Sequence, residues 1–85
     1  MKTDFKYIAF VELVHTAKTR QFRCENRSSG GELGMVKWYG AWRQYCFFPT
    51  GPAVYSSGCQ TDIATFLDDL NVAHKTPRGE KEEVK

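Results

Sequence analysis

Only one stretch of this chain repeats its apolar residues with a helical period, and that limits the folds open to it. Ile63, Phe66, Leu67 and Leu70 fall at i, i+3, i+4 and i+7, with Cys59 one turn earlier, so they line one side of a helix. Asp62, Thr65, Asp68 and Asp69 take the other side, Asp62 near the positive end of the helix dipole. Ser57 with Gln60 matches a capping box and places the start close to Gly58, while Asn71 can close the helix in the left-handed region. The remaining apolar segments alternate with period two. A lone amphipathic helix shields one face of one sheet, so the expected architecture is a two-layer α+β domain. It comprises an antiparallel four- to five-stranded meander with one C-terminal helix packed on one face. At 85 residues there is room for a single core. The domain is expected over residues 1–71, followed by a disordered charged tail over residues 72–85, which has almost no apolar content.

The strands are read from alternation. Phe5, Tyr7, Ala9, Val11 and Leu13 form a continuous apolar set of one parity, so they are expected to face the core. Residues 15 to 19 supply a polar break. In the next strand Phe22 and Cys24 share a face, opposite Gln21, Arg23, Glu25 and Arg27. Ser28-Ser29-Gly30-Gly31 reads as a hairpin turn, because adjacent glycines accept positive φ without a Cβ clash. Leu33 to Tyr39 continues as a third strand. Gly40-Ala41 fits a two-residue type II′ link to a fourth strand, Trp42 to Phe48, which stops at Pro49. Ala53-Val54-Tyr55 offers a short fifth.

The segment KWYGAWRQYCFFP, residues 37–49, holds six aromatic side chains in thirteen positions. Val36 and Trp38 take one side of the third strand, and Met35, Lys37 and Tyr39 the other. On the fourth, Trp42, Gln44, Cys46 and Phe48 separate from Arg43, Tyr45 and Phe47. Both sides of the hairpin carry rings, and one helix cannot hide them all. Two readings follow. In one, the rings fill the core and pair across strands, each pair contributing roughly 0.2–1 kcal/mol. In the other, Arg23, Arg27, Lys37, Tyr39, Arg43 and Tyr45 form a ring-and-cation surface that binds nucleic acid, preferably single-stranded, or a protein. Burial of the aromatic face in a homodimer is a third use of the same rings.

L-G-x-V-K-W-Y-G-x-W-R-Q-Y-C-F-F-P, followed by a Cys-x-x-D-I-x-x-F-L helix, resembles a group of small uncharacterised proteins encoded by bacteriophages and prophages. The likeness covers residues 20–70, and its most specific part is Trp42-Arg43-Gln44-Tyr45-Cys46-Phe47-Phe48-Pro49. The resemblance carries no activity and no catalytic residues. It implies a phage context, in which nucleic-acid handling and inhibition of a host defence protein are the natural tasks, and the host cytoplasm the natural location.

Charge narrows the partner little. The net formal charge is +2, but residues 1–59 carry eight basic side chains against four acidic ones, and Asp62, Asp68 and Asp69 follow. Cys24, Cys46 and Cys59 are an odd set with no CxxC pair and no histidine at ligand spacing. They fit a reducing compartment better than a disulfide framework or zinc, and no metal or cofactor is expected. Cys46 or Cys59 as a nucleophile would need a base, and only His15 and His74 are on offer, so the chain is not expected to be an enzyme. The longest apolar run, YIAFVELV, falls far short of the ~20 residues of a membrane span, and the first residues lack the layout of a signal peptide.

Overall fold

The computed structural model describes residues 2 to 13 and 18 to 75. The alternating segments form β1 (Ile8–Glu12), β2 (Phe22–Asn26), β3 (Glu32–Tyr39) and β4 (Gln44–Pro49), and the helical stripe forms α1 (Ser57–Lys75). The strands pair antiparallel in the order β1-β2-β3-β4, a meander, and α1 lies across one face. This is the expected α+β architecture with four strands. Residues 53 to 55 do not add a fifth. Tyr55 instead donates its hydroxyl to the Leu33 carbonyl and sets its ring edge-on to Phe47, 5.6 Å between centroids.

The core lies between helix and sheet. Ile63, Phe66 and Leu70 from α1 meet Ile8, Phe10, Phe22, Cys24, Val36 and Tyr45 from the four strands. Phe66 is central to it: its ring stacks parallel on Phe10 at 4.0 Å and meets Phe22 edge-on at 4.9 Å. Each buried ring removes roughly 150–250 Å² from water, which is how so short a chain sustains a core.

β1 presents the opposite parity from that expected. Ile8 and Phe10 are buried, whereas Tyr7 and Val11 are exposed. The cause is a tight reversal at Lys6 and Tyr7, where the Phe5 N–H donates to the Ile8 carbonyl and the Phe10 N–H to the Thr3 carbonyl, both at 2.9 Å. Phe5 therefore reaches the core from a separate segment, touching Phe10 edge-on at 5.9 Å. The same two hydrogen bonds lay residues 3 to 5 along the outer edge of β1.

The β2–β3 turn forms where expected. Gly30 takes φ +77°, and the Asn26 side chain accepts the Ser28 and Ser29 N–H groups. The β3–β4 connection is longer than expected. Tyr39 pairs with Gln44, leaving a four-residue loop over residues 40 to 43 in which Trp42 N–H donates to the Tyr39 carbonyl and Arg43 N–H to that of Gly40, each at 3.2 Å. A two-residue link would have set Arg43 opposite Trp38, on the side that the helix covers, where an unpaired charge is costly. The longer loop lifts Arg43 out of the sheet at φ 55° and brings Tyr45 opposite Trp38 instead.

The helix also departs at both ends. Ser56, one residue earlier than expected, is the N-cap: its Oγ accepts the Cys59 N–H at 3.1 Å. Asn71 does not end the helix, which continues to Lys75. Its amide instead faces the edge strand β4, where Oδ1 accepts the Tyr45 N–H at 2.8 Å and Nδ2 donates to the Tyr45 carbonyl at 3.3 Å. Residues 72 to 75, placed in a tail by the sequence reading, are the last turn of α1; residues 76–85, and residues 15 to 17 of the polar break, lie outside the described residues. Among the described residues no helix is long and apolar enough to cross a membrane.

Candidate functional site

The face of the sheet away from α1 is built by Val11 on β1, Arg23 and Glu25 on β2, Met35, Lys37 and Tyr39 on β3, and Cys46 and Phe48 on β4. No other element of the described chain lies on it. Its rings gather at the β3–β4 hairpin. Tyr39 meets Trp42 edge-on at 5.1 Å and Phe48 at 6.0 Å. Lys37 places Nζ 4.7 Å from the centre of the Phe48 ring, a cation–π contact that holds the ammonium toward the β4 side of the face. Trp42 is 66% exposed and Tyr39 37%, large exposures for rings in so small a domain. Arg43, beside Trp42, is the one non-glycine residue with positive φ among those described. That conformation is uncommon for a side chain with a Cβ and recurs where a residue is held for contact rather than packing.

The six residues singled out from the sequence do not all meet here. Lys37, Tyr39 and Arg43 lie together at the hairpin. Arg23 is on the same face but is engaged, its Nε 3.2 Å from Glu25 Oε2, off the hydrogen-bond direction, and 4.0 Å from Glu32 Oε1. Its Nη2 donates to the Gly30 carbonyl at 3.3 Å. Arg27 works as a structural pin: Nη1 donates to the Phe5 carbonyl at 2.6 Å and its backbone N–H to the Tyr7 carbonyl at 2.9 Å, tying the N-terminal reversal to β2. Tyr45 belongs to the other face. It is 3% exposed, sets its ring edge-on to Trp38 at 5.3 Å, and accepts the Arg20 backbone N–H on its hydroxyl. The reason is register. Lys37 pairs with Cys46 and Trp38 with Tyr45, so odd positions of β3 share their side with even positions of β4.

Trp42, Phe48 and Met35 were not singled out, although the period-two pattern already put Met35 beside Lys37. For Phe48 the signal was present as well, since either loop length puts the even positions of β4 on the side of Lys37 and Tyr39; for Trp42 the loop sets the ring edge-on to Tyr39.

The cysteines are free. Burial pushes the Cys24 thiol up to about 12, so it is protonated and unreactive at neutral pH. No group of three or more His, Cys, Asp or Glu side chains among the described residues is placed to hold a metal ion. Elsewhere, a small cavity of about 120 Å³ is lined by Lys18, Arg20, Tyr45 and His74. Arg20 there is paired bidentately with Glu12, at 2.7 and 2.8 Å, and those hydrogen bonds raise its pKa further. An apolar groove of about 390 Å³ runs between β4 and α1 along Phe47, Pro49, Ile63 and Leu67.

Comparison of the chain with protein-family models, with curated proteins and with solved structures finds no match in any of the three.

Proposed function

We propose that the chain is a small non-enzymatic binding module that takes up a protein partner on the outer face of its sheet. Tyr39, Trp42 and Phe48 are the anchors, and Lys37 and Arg43 select for an acidic surface. The observation that carries this reading is the exposed ring cluster around Trp42 on a face that no element of the described chain covers. Tryptophan, tyrosine and arginine are the residues that dominate interface energetics, and a few well-placed ones supply most of the affinity. Four strands about 4.8 Å apart and some six residues long give a face on the order of 400 Å², with the rings gathered at its β3–β4 end and Arg23, Glu25 and Lys37 supplying the charge. The likeness of residues 42–49 to phage and prophage proteins supports a host protein as that partner.

Nucleic acid is the second reading, favoured by Arg43 next to the exposed Trp42 and Lys37 over Phe48 on the same face. It has lost support relative to the sequence expectation, since Arg27 pins backbone, Arg23 is held between carboxylates and Tyr45 is buried. With two or three phosphates neutralised, the slope of log K against log salt would be only about −1.4 to −2 for a single strand.

Nuclease-treated host lysate passed over immobilised protein separates the readings. Capture by the wild type that is lost in Trp42→Ala, with folding intact by circular dichroism, supports the protein reading. Capture indifferent to Trp42, or found only before nuclease treatment, sinks it; in the latter case labelled oligonucleotides at low salt should bind.

A further inference from the structure

The outer face is polar along its length as well as apolar across it, and this identifies a partner for it. Its central row runs across the strands through Val11, Arg23, Met35 and Phe48, which are successive register partners. One step toward the β3–β4 hairpin stands Lys37; Arg43 lies beyond it on the loop. One step the other way stand Glu25 and Glu32, which are register partners of each other across the irregularity in β2–β3 pairing. The backbone positions of Lys37 and of the two glutamates are thus on opposite sides of the central row, each on the order of 7 Å away by strand rise, with the Lys37 ammonium leaning back over Phe48 and the carboxylates toward Arg23.

We infer that the face binds a second copy of this chain, the two sheets packing with reversed strand directions about a two-fold axis that runs along the central row. A rotation about that line sends each strand onto itself with its ends exchanged. Lys37 of one protomer then lies over the partner's Glu32, and the same contact recurs on the other side of the axis. Met35 and Phe48 meet their own copies on the axis and bury the apolar centre. Arg23 also meets its copy there, each guanidinium already flanked by its own Glu25 and Glu32. Trp42 projects past the row to cover the partner's β2–β3 turn. An axis parallel to the strands would bring Lys37 toward Lys37 and Glu32 toward Glu32, so the charges select the reversed arrangement. Interfaces built from one small face sit at or below the ~1,200 Å² lower end of stable complexes, and the pairing is accordingly weak, in the micromolar range.

This inference rests on the proposal that the outer face is the binding surface, and adds a second copy as its weak occupant, which a host protein would displace. Sedimentation equilibrium from about 5 µM to 1 mM tests it. The wild type should dimerise. Lys37→Glu and Glu32→Lys, each with unchanged circular dichroism, should each weaken dimerisation by about tenfold or more, since each places like charges across the axis. Mixed together, the two variants should form a heterodimer at near wild-type strength, because both of its charge contacts are again opposite. Wild-type protein that stays monomeric at 1 mM, variants that dimerise undiminished, or a mixture that shows no recovery would overturn the inference. A monomer that still captures a lysate protein in a Trp42-dependent way removes only the second copy as occupant. A monomer that captures nothing removes the reading of the face as well.

Discussion

Asn71 is the most informative single residue for the fold. It sits in the last quarter of the helix, inside a run where asparagine is a mediocre helix former, and spends its amide on the backbone of the edge strand at Tyr45. Asn71→Ala removes an acceptor 2.8 Å from the Tyr45 N–H and a donor 3.3 Å from its carbonyl. Leaving a buried donor without a partner costs roughly 1–3 kcal/mol; here the pair is half-buried and the longer bond is weak, so about 1.5–2 kcal/mol is the reasonable share. Alanine regains up to about 0.7 kcal/mol of helix propensity. The net loss should be about 1 kcal/mol, which in a domain of this length lowers Tm by about 4–8 °C. Urea unfolding followed by circular dichroism measures the loss, and hydrogen exchange at the Tyr45 amide localises it. Asp69→Ala, on the exposed side of the same helix, should shift stability by no more than about 0.5 kcal/mol. If Asn71→Ala unfolds at the wild-type temperature and the Tyr45 amide keeps its protection, the amide bridge contributes nothing and the account of how α1 is held against β4 is wrong.

Two further outcomes follow from the packing. Gly34 lies beneath Phe47, and an added Cβ would stand 2.5 Å from Phe47 Cζ and 2.7 Å from the Phe48 carbonyl oxygen. The ring can tilt but the carbonyl belongs to the neighbouring strand, so Gly34→Ala should lose about 1–3 kcal/mol in thermal unfolding; a neutral result would mean that β3 and β4 are not this close. The second concerns Cys24, whose thiol is pushed up to about 12 by burial, and then by Cys59 and Glu25. Its folded value lies above the unfolded one, so the stability it brings is complete below the unfolded pKa of about 8.5 and is lost as pH climbs toward 12. Between pH 9 and 10 the wild type should lose about 1 kcal/mol more than Cys24→Ala in urea unfolding, and equal slopes for the two proteins would refute the burial of this thiol.

Much of the framework can be read from periodicity, and the departures have local causes. β2 and the helical stripe stood out because each had one clean period and nearby turn or cap chemistry. β1 did not: its residues are apolar at both parities, and the reversal at Lys6 and Tyr7 has neither glycine nor proline to mark it. The chain's phase changed there without a sign in the composition. At the β3–β4 loop, Gly40 suggested a tight link, but the deciding factor was a charge that could not be buried opposite Trp38. A two-residue and a four-residue link both set Tyr45 on the side of Trp38, so its place in the core follows from strand parity, and the loop length decides only which residue it faces. Asn71 had the right chemistry for a helix stop and was used across the sheet edge, a contact 26 residues away in sequence that no window of local pattern contains. The ring-and-cation surface was legible in kind, through Lys37, Tyr39 and Arg43, but its full membership depended on register.

The treatment of the sheet's two rims has a consequence of its own. Residues 3 to 5 lie along β1, while on β4 the Asn71 amide occupies Tyr45 and Pro49 has no N–H to offer. A strand from another molecule meets a ladder that is interrupted on both rims, which disfavours the addition of β-sheet edge to edge. Contact broadside to the sheet meets no such interruption, and the outer face is the surface that this arrangement leaves favoured.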